Sequence, residues 1–220
     1  MSITPAILVP TYKELDKQIK QVNSLFKYVQ LDIMDGFFVS SKSFDYNEPD
    51  ENLRQYFNNN LNTNLEFELH LMTQDPLTEI AKWEKIKNVF RVIFHVESDC
   101  NPNEVVNKIR ANCWQVGIAI NPDTPLSKIE PYLDLINLIL FMTVVPGKQG
   151  GEFVPKVGEK IKQISTLSNK PIVAVDGSVN KDTISQIDSW GVDIFNVGSA
   201  LMGQKDIKKA HEELKSFLNK

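Results

Sequence analysis

The sequence predicts an α/β protein folded as a single (β/α)8 barrel over residues 1–220, and three observations predict it. Eight short apolar runs recur along the chain, helical patterns separate them, and 220 residues suffice for one domain with one sizeable core. The runs are Ile3–Leu8, Tyr28–Ile33, Leu65–Leu71, Val92–Val96, Val116–Ile120, Leu138–Val144, Ile172–Val175 and Ile194–Val197. Each is apolar almost throughout instead of alternating, as a strand covered on both faces of a parallel sheet must be. A doubly wound open sheet shares this alternation of strand and helix; the count of eight favours the barrel.

The helical patterns lie where crossover connections are needed, at Tyr12–Phe26, Leu77–Lys87, Pro102–Asn112, Pro125–Leu133, Val154–Leu167, Lys181–Trp190 and Lys205–Leu218. Several starts carry a side chain able to accept from the first free amides, as Asn101 before Pro102, Thr124 before Pro125 and Asn180 before Lys181 do. The stretch Ser40–Asn64, rich in Asn, Asp and Ser, is the longest polar insertion and is expected to include a loop over the active end.

Composition narrows the class. Charged residues make up 24% and hydrophobic residues 42%, ordinary globular proportions, and a net charge of −4 with scattered Lys and Arg gives no nucleic-acid footprint. No apolar run approaches a membrane span, and the opening MSITPAILVP lacks a signal peptide's basic head and long apolar stretch, so a cytoplasmic setting is expected. Cys100 and Cys113 are too few and too poorly spaced for a metal knuckle or disulfide framework, and read as plain thiols.

In a barrel, chemistry gathers where strands end, because the loops leaving those ends share one open face. The second strand ends in LDIMDG, with Asp32, Met34 and Asp35; the third in ELHLM, with His70 and Met72; the seventh in AVDGS, with Asp176. A carboxylate in a buried apolar strand costs several kcal/mol unless paired or metal-bound. Taken singly, these residues read as turn caps or a satisfied core histidine. Together at matching strand ends, Asp32, His70 and Asp176 suit a divalent ion such as Zn, Mn or Fe. Asp35, before Gly36, reads as a turn residue.

Glycine-rich turns follow strands six, seven and eight, in MTVVPGKQGGEF (Gly147, Gly150), DGSVN (Gly177, Ser178) and VGSALM (Gly198, Ser199). Backbone N–H groups in such turns, with a helix N-terminus, hold a phosphate without a basic side chain, so a small phosphorylated ligand is expected.

The segments LDIMDGFFV, ELHLM, NPDTPLSKIEPYLDLINLILFMTVVPG, AVDGSVN and VGSALM resemble the motifs of the ribulose-phosphate 3-epimerases, in order, from Ile7 to Met202. The resemblance implies a TIM barrel of the pentose phosphate pathway that interconverts D-ribulose 5-phosphate and D-xylulose 5-phosphate, and self-association into a homo-oligomer. It implies Asp32 as base, Asp176 as acid on the opposite face, and a metal held by Asp32, His70 and Asp176. Met34, Met72 and Met142 match methionines that line the family's site, although a buried Met is by default core filler.

The resemblance fails at three places. Gln30 stands where the family has a histidine ligand, which leaves Gln30 as a weaker, harder fourth ligand and opens the choice of ion to Zn, Mn, Fe or Mg. Val9 replaces a serine beside the substrate, and the phosphate loop reads PGKQGGEF, with its glycines displaced and Lys148 and Gln149 inserted. Three readings stay open: a pentose-phosphate epimerase with altered metal preference, an epimerase of another ketose phosphate such as allulose 6-phosphate, and an inactive sugar-phosphate binder. Two opposed buried acids argue against the last. His95, beside Glu97, reads as part of a supporting network, and His211 as a solvent-facing residue of the last helix.

Overall fold

Eight parallel strands pair in sequence order and close into a barrel, β8 returning to β1, in the computed structural model, which describes residues 1–43, 50–147 and 151–218. They are β1 (Ser2–Ile7), β2 (Tyr28–Met34), β3 (Glu66–Met72), β4 (Val89–His95), β5 (Gln115–Ile120), β6 (Leu138–Met142), β7 (Ile172–Asp176) and β8 (Ile194–Val197). The helices between and after them are α1 (Tyr12–Val22), α2 (Asp50–Gln55), α3 (Pro76–Trp83), α4 (Pro102–Ala111), α5 (Val157–Ser165), α6 (Ile184–Asp188), α7 (Ser199–Met202) and α8 (Ile207–Lys215). The expected barrel and the expected strand count are both present.

Side chains alternate across each strand, so every strand feeds two cores. Outward residues such as Leu31, Leu69, Val92, Phe141 and Val175 pack beneath the helices in the larger core. Inward residues split the lumen into two halves. On one side lie Ile93, Ala119, Leu138, Leu140, Met142 and Ala174. Gly117 makes room there, since a Cβ would stand 2.6 Å from Ile93 Cγ1. On the other side lie the polar residues Gln30, Glu68, Arg91 and Asn196, all at least nine-tenths buried.

Helix starts follow their side-chain caps. Thr11, Asp75, Asn101 and Asp206 accept from first-turn amides of α1, α3, α4 and α8. The expected helix Pro125–Leu133 is instead two 3-10 turns, Leu126–Lys128 and Glu130–Leu135. Pro131 lacks an amide hydrogen and its ring crowds the preceding turn, so a continuous α-helix cannot run through it. Of the polar insertion, residues 44–49 lie outside the described residues. Asp50–Gln55 and the π turn Tyr56–Asn60 join the helical layer, with Tyr56 stacked on Tyr12 at 4.8 Å and Phe57 edge-on to Phe67 and Trp83. His211 does not face solvent freely: it is half-buried, its ring 4.8 Å from Phe26, and burial lowers its pKa.

Candidate active site

Parallel register brings the strand ends to one level. Asp32 pairs with His70 across β2 and β3, and Asp176 pairs with Met142 on one side and Asn196 on the other. One cavity at this end is lined by Asp32, His70, Met72, Met142, Asp176 and Asn196, and by the turns holding Gly147, Gly177, Ser178, Gly198 and Ser199. Met34 lies behind this wall, packed with Val39 and Met72. Gly150, with Lys148 and Gln149, lies outside the described residues. Val9 is buried and does not line the cavity.

Asp32, His70 and Asp176 are the group among the described residues whose ligand atoms lie close enough to hold a metal, all within 4.8 Å of one another. His70 Nδ1 lies 3.0 Å from Asp32 Oδ1 and 3.7 Å from Asp176 Oδ2. Its other nitrogen, Nε2, is 3.0 Å from His95 Nε2, and His95 Nδ1 is 3.1 Å from Glu97 Oε2. Glu97 Oε1 accepts from the Asn121 amide at 2.9 Å.

This chain assigns protons. Burial pushes the His95 pKa down to about 4, so the ring is neutral at physiological pH. The Glu97 carboxylate can only accept, so His95 donates through Nδ1 and presents a lone pair at Nε2. His70 must then donate through Nε2, and its Nδ1 lone pair faces the Asp32 and Asp176 oxygens. A lone pair aimed at two carboxyl oxygens calls for a proton, on His70 or on Asp176, or for a cation between them. A proton on His70 answers the need, and the pKa is indeed raised: burial opposes charge there, but the Asp32 hydrogen bond and charge outweigh it. A divalent metal answers it equally, with His70 oriented by the partner on its far nitrogen, as metal-binding histidines are. The donor set therefore fits a metal.

Asp176 behaves differently from an exposed carboxyl. Burial, with the Asp32 charge adding to it, pushes its pKa up to about 7. Asp35 has another role: one oxygen accepts from Phe37 and Phe38 amides and the other from the Gln74 amide at 2.6 Å, tying two loops together. Gly177 adopts φ +108°, and a Cβ there would stand 2.6 Å from Val144 Cγ2, so the turn after β7 requires glycine. The Ser178 hydroxyl donates to the Gly151 carbonyl. At Ser199, where α7 begins, the Leu201 and Met202 amides of the first turn donate to the Gly198 carbonyl, at 3.0 and 2.8 Å.

The ribulose-phosphate 3-epimerase family model matches residues 2–202. The chain belongs to the ribulose-phosphate 3-epimerase family. It is 32% identical to a ribulose-phosphate 3-epimerase of Mycobacterium bovis over 93% of this chain and 87% of that one. To that of Bacillus subtilis it is 30% identical over 98% of both. A 3-hexulose-6-phosphate synthase from Salmonella typhimurium superposes with a TM-score of 0.71 at 13% identity, covering 99% of this chain and 98% of that one, and shows a shared fold.

Where the family resemblance expects histidine, Gln30 does not turn its oxygen toward the carboxylates. Its Nε2 donates to Asp32 Oδ1 at 2.9 Å and to Asp176 Oδ2, and its Oε1 accepts from Asn196 Nδ2. Asn196 also reaches Glu68 Oε1 at 3.5 Å, and Glu68 Oε2 accepts from Arg91 Nη1 at 2.6 Å. A continuous polar chain thus runs down the lumen from the site of this family member. Sequence reading missed Asn196, Glu68 and Arg91. Their signal was a polar residue inside an apolar strand, on the same inward parity as Asp32 and His70.

Proposed function

We propose that this chain epimerises D-ribulose 5-phosphate at carbon 3 to D-xylulose 5-phosphate, and the observation that carries this is the pair Asp32 and Asp176 meeting in one cavity beside glycine turns. The printed names of the matching relatives support the reaction class. Asp32 takes the C3 proton from one face, and the electron pair moves into an enediolate. Asp176, whose pKa burial raises to about 7, returns a proton to the opposite face. One proton leaves and one arrives, so the product is an isomer. Asp32 is then protonated and Asp176 ionised, and exchange with solvent restores both. The turns at Gly177, Ser178, Gly198 and Ser199, with Gly147 after β6, would hold the phosphate through backbone N–H groups. Met72 and Met142 supply apolar walls that limit water at carbon 3. A divalent ion, Zn, Mn, Fe or Mg, held by Asp32, His70 and Asp176 would supply Lewis-acid stabilisation of the developing oxyanion.

The test is turnover of D-ribulose 5-phosphate after chelation and resupply of each metal, with Asp176→Asn alongside. That variant is expected to lose about 10²–10⁴-fold in kcat while still binding inorganic phosphate. Unchanged turnover would remove the acid–base assignment. Absence of turnover with every metal would shift the reading to another ketose phosphate, such as allulose 6-phosphate, or to a binder. Self-association is part of the same reading, and a 25.0 kDa particle by light scattering would retire it.

A further inference from the structure

Gln30 and Asn196 face each other, amide to amide, from β2 and β8 at the floor of the site, and both are almost wholly buried. We propose that they form a coupled amide switch: when a divalent cation enters among Asp32, His70 and Asp176, both amides turn over together. Gln30 then presents its oxygen as a fourth ligand in place of its NH2. This inference rests on the metal reading of the site given above.

Three features lead to it. The Gln30 NH2 donates to Asp32 Oδ1 and Asp176 Oδ2, the same two oxygens that face His70 Nδ1. A cation sharing those oxygens would meet two N–H protons, an arrangement of like partial charges. Rotation by half a turn about the last side-chain bond of Gln30 exchanges N and O with little movement of other atoms, and that bond is of the soft, two-fold kind.

Gln30 cannot turn alone. Its oxygen accepts from Asn196 Nδ2, and a lone turn would set two NH2 groups against each other. Asn196 carries the remedy: its Oδ1 is buried and has no hydrogen-bond partner among the described residues. Turned in step, that oxygen accepts from Gln30, and the pair keeps its one mutual bond. Each arrangement leaves one Asn196 amide atom over, oxygen in one and nitrogen in the other. The turn gives up the two Gln30 bonds to Asp32 and Asp176 and the 3.5 Å contact with Glu68, so the present arrangement holds until a cation, bound by the Gln30 oxygen and both carboxylates, replaces those bonds and tips the balance. Asn196 is therefore a positioning residue, acting on the metal through Gln30 alone.

The experiment titrates the chelator-treated full chain with Zn2+ by calorimetry, in the native sequence and in Gln30→Leu, Asn196→Leu and the double variant. The expected results are binding about tenfold or more weaker in Gln30→Leu, a smaller loss in Asn196→Leu, and no further loss when Asn196→Leu is added to Gln30→Leu. In the native chain, the 15N-labelled Gln30 side-chain resonance, assigned by its disappearance in Gln30→Leu, is expected to shift on saturation with Zn2+. If Gln30→Leu binds Zn2+ as tightly as or more tightly than the native chain, or if the resonance stays in place, the switch is overturned while the metal reading stands. If Asn196→Leu weakens binding equally in both backgrounds, the coupling is overturned. Failure of the native chain to bind Zn2+ at all would overturn the metal reading and the switch with it.

Discussion

Arg91→Met tests the polar half of the lumen. Arg91 and Glu68 are 7% and 3% exposed at their side chains and joined at 2.6 Å, and Arg91 also donates through Nε and Nη2 to Gln115 Oε1. Removing the guanidinium leaves a buried carboxylate uncompensated, which costs about 3–5 kcal/mol. At roughly 2–4 °C per kcal/mol for a chain of this size, the melting temperature should fall by roughly 6–20 °C. The loss should depend on pH in a definite direction. Burial already raises the Glu68 pKa against the pull of Arg91, so the folded protein holds that proton more tightly than the unfolded chain does. A carboxyl shifted upward weakens folding once pH exceeds its unfolded pKa, and does no harm below it. Without Arg91 the upward shift grows, so the deficit should be greater at pH 8 than at pH 5, where Glu68 takes up its proton. Replacing both members, Arg91→Met with Glu68→Leu, should recover most of the loss, because no charge remains to be buried. Urea and thermal unfolding followed by circular dichroism at the two pH values read all of this. A deficit under about 1 kcal/mol, a deficit independent of pH, or additive losses in the double variant would refute the reasoning.

Other expectations follow from single contacts. Gly177→Ala should lower both stability and turnover, by about 1–3 kcal/mol in unfolding free energy, because the turn holds φ +108° and a Cβ would strike Val144; unfolding curves beside kcat decide it. Gly158→Ala places a methyl 2.4 Å from the Trp190 ring and should cost about 1–3 kcal/mol with a change in tryptophan fluorescence, while leaving the site's metal affinity unaltered. Burial pushes the Cys100 thiol up to about 11, so at pH 8 iodoacetamide should modify exposed Cys113 first, as peptide mass mapping would show.

The strands were legible because burial on both faces writes itself as continuous apolar sequence, and β8 begins and ends where its apolar run does. Where that signal is interrupted, the reading slips. β4 starts at Val89 instead of Val92 because Arg91, inward and paired with Glu68, breaks the apolar run. That Asp32, His70 and Asp176 cluster was legible because three ionisable groups fall at matching strand ends, although each alone has a structural reading. Asn196 was not, since an amide in IFNV has no partner in local sequence; Gln30 lies far away along the chain and meets it only when the barrel closes. The segment Pro125–Leu133 misled because its apolar spacing suits a helix while Pro131 forbids one.

The seam between β1 and β8 sets an order of events during synthesis. Ser2–Pro5 pair with Ile194–Val197, so the first strand made waits for nearly the last to emerge before its second neighbour exists. Until then Gln30 and Glu68, already inside a growing wall, have no Asn196 to meet, and the open sheet carries two unpaired margins. The same final strand that abolishes those margins also furnishes the last polar contact beneath the aspartates. A nascent chain stalled short of residue 194 would thus be sticky and chemically unfinished at once, which leaves little opportunity for a half-built barrel to act on substrate.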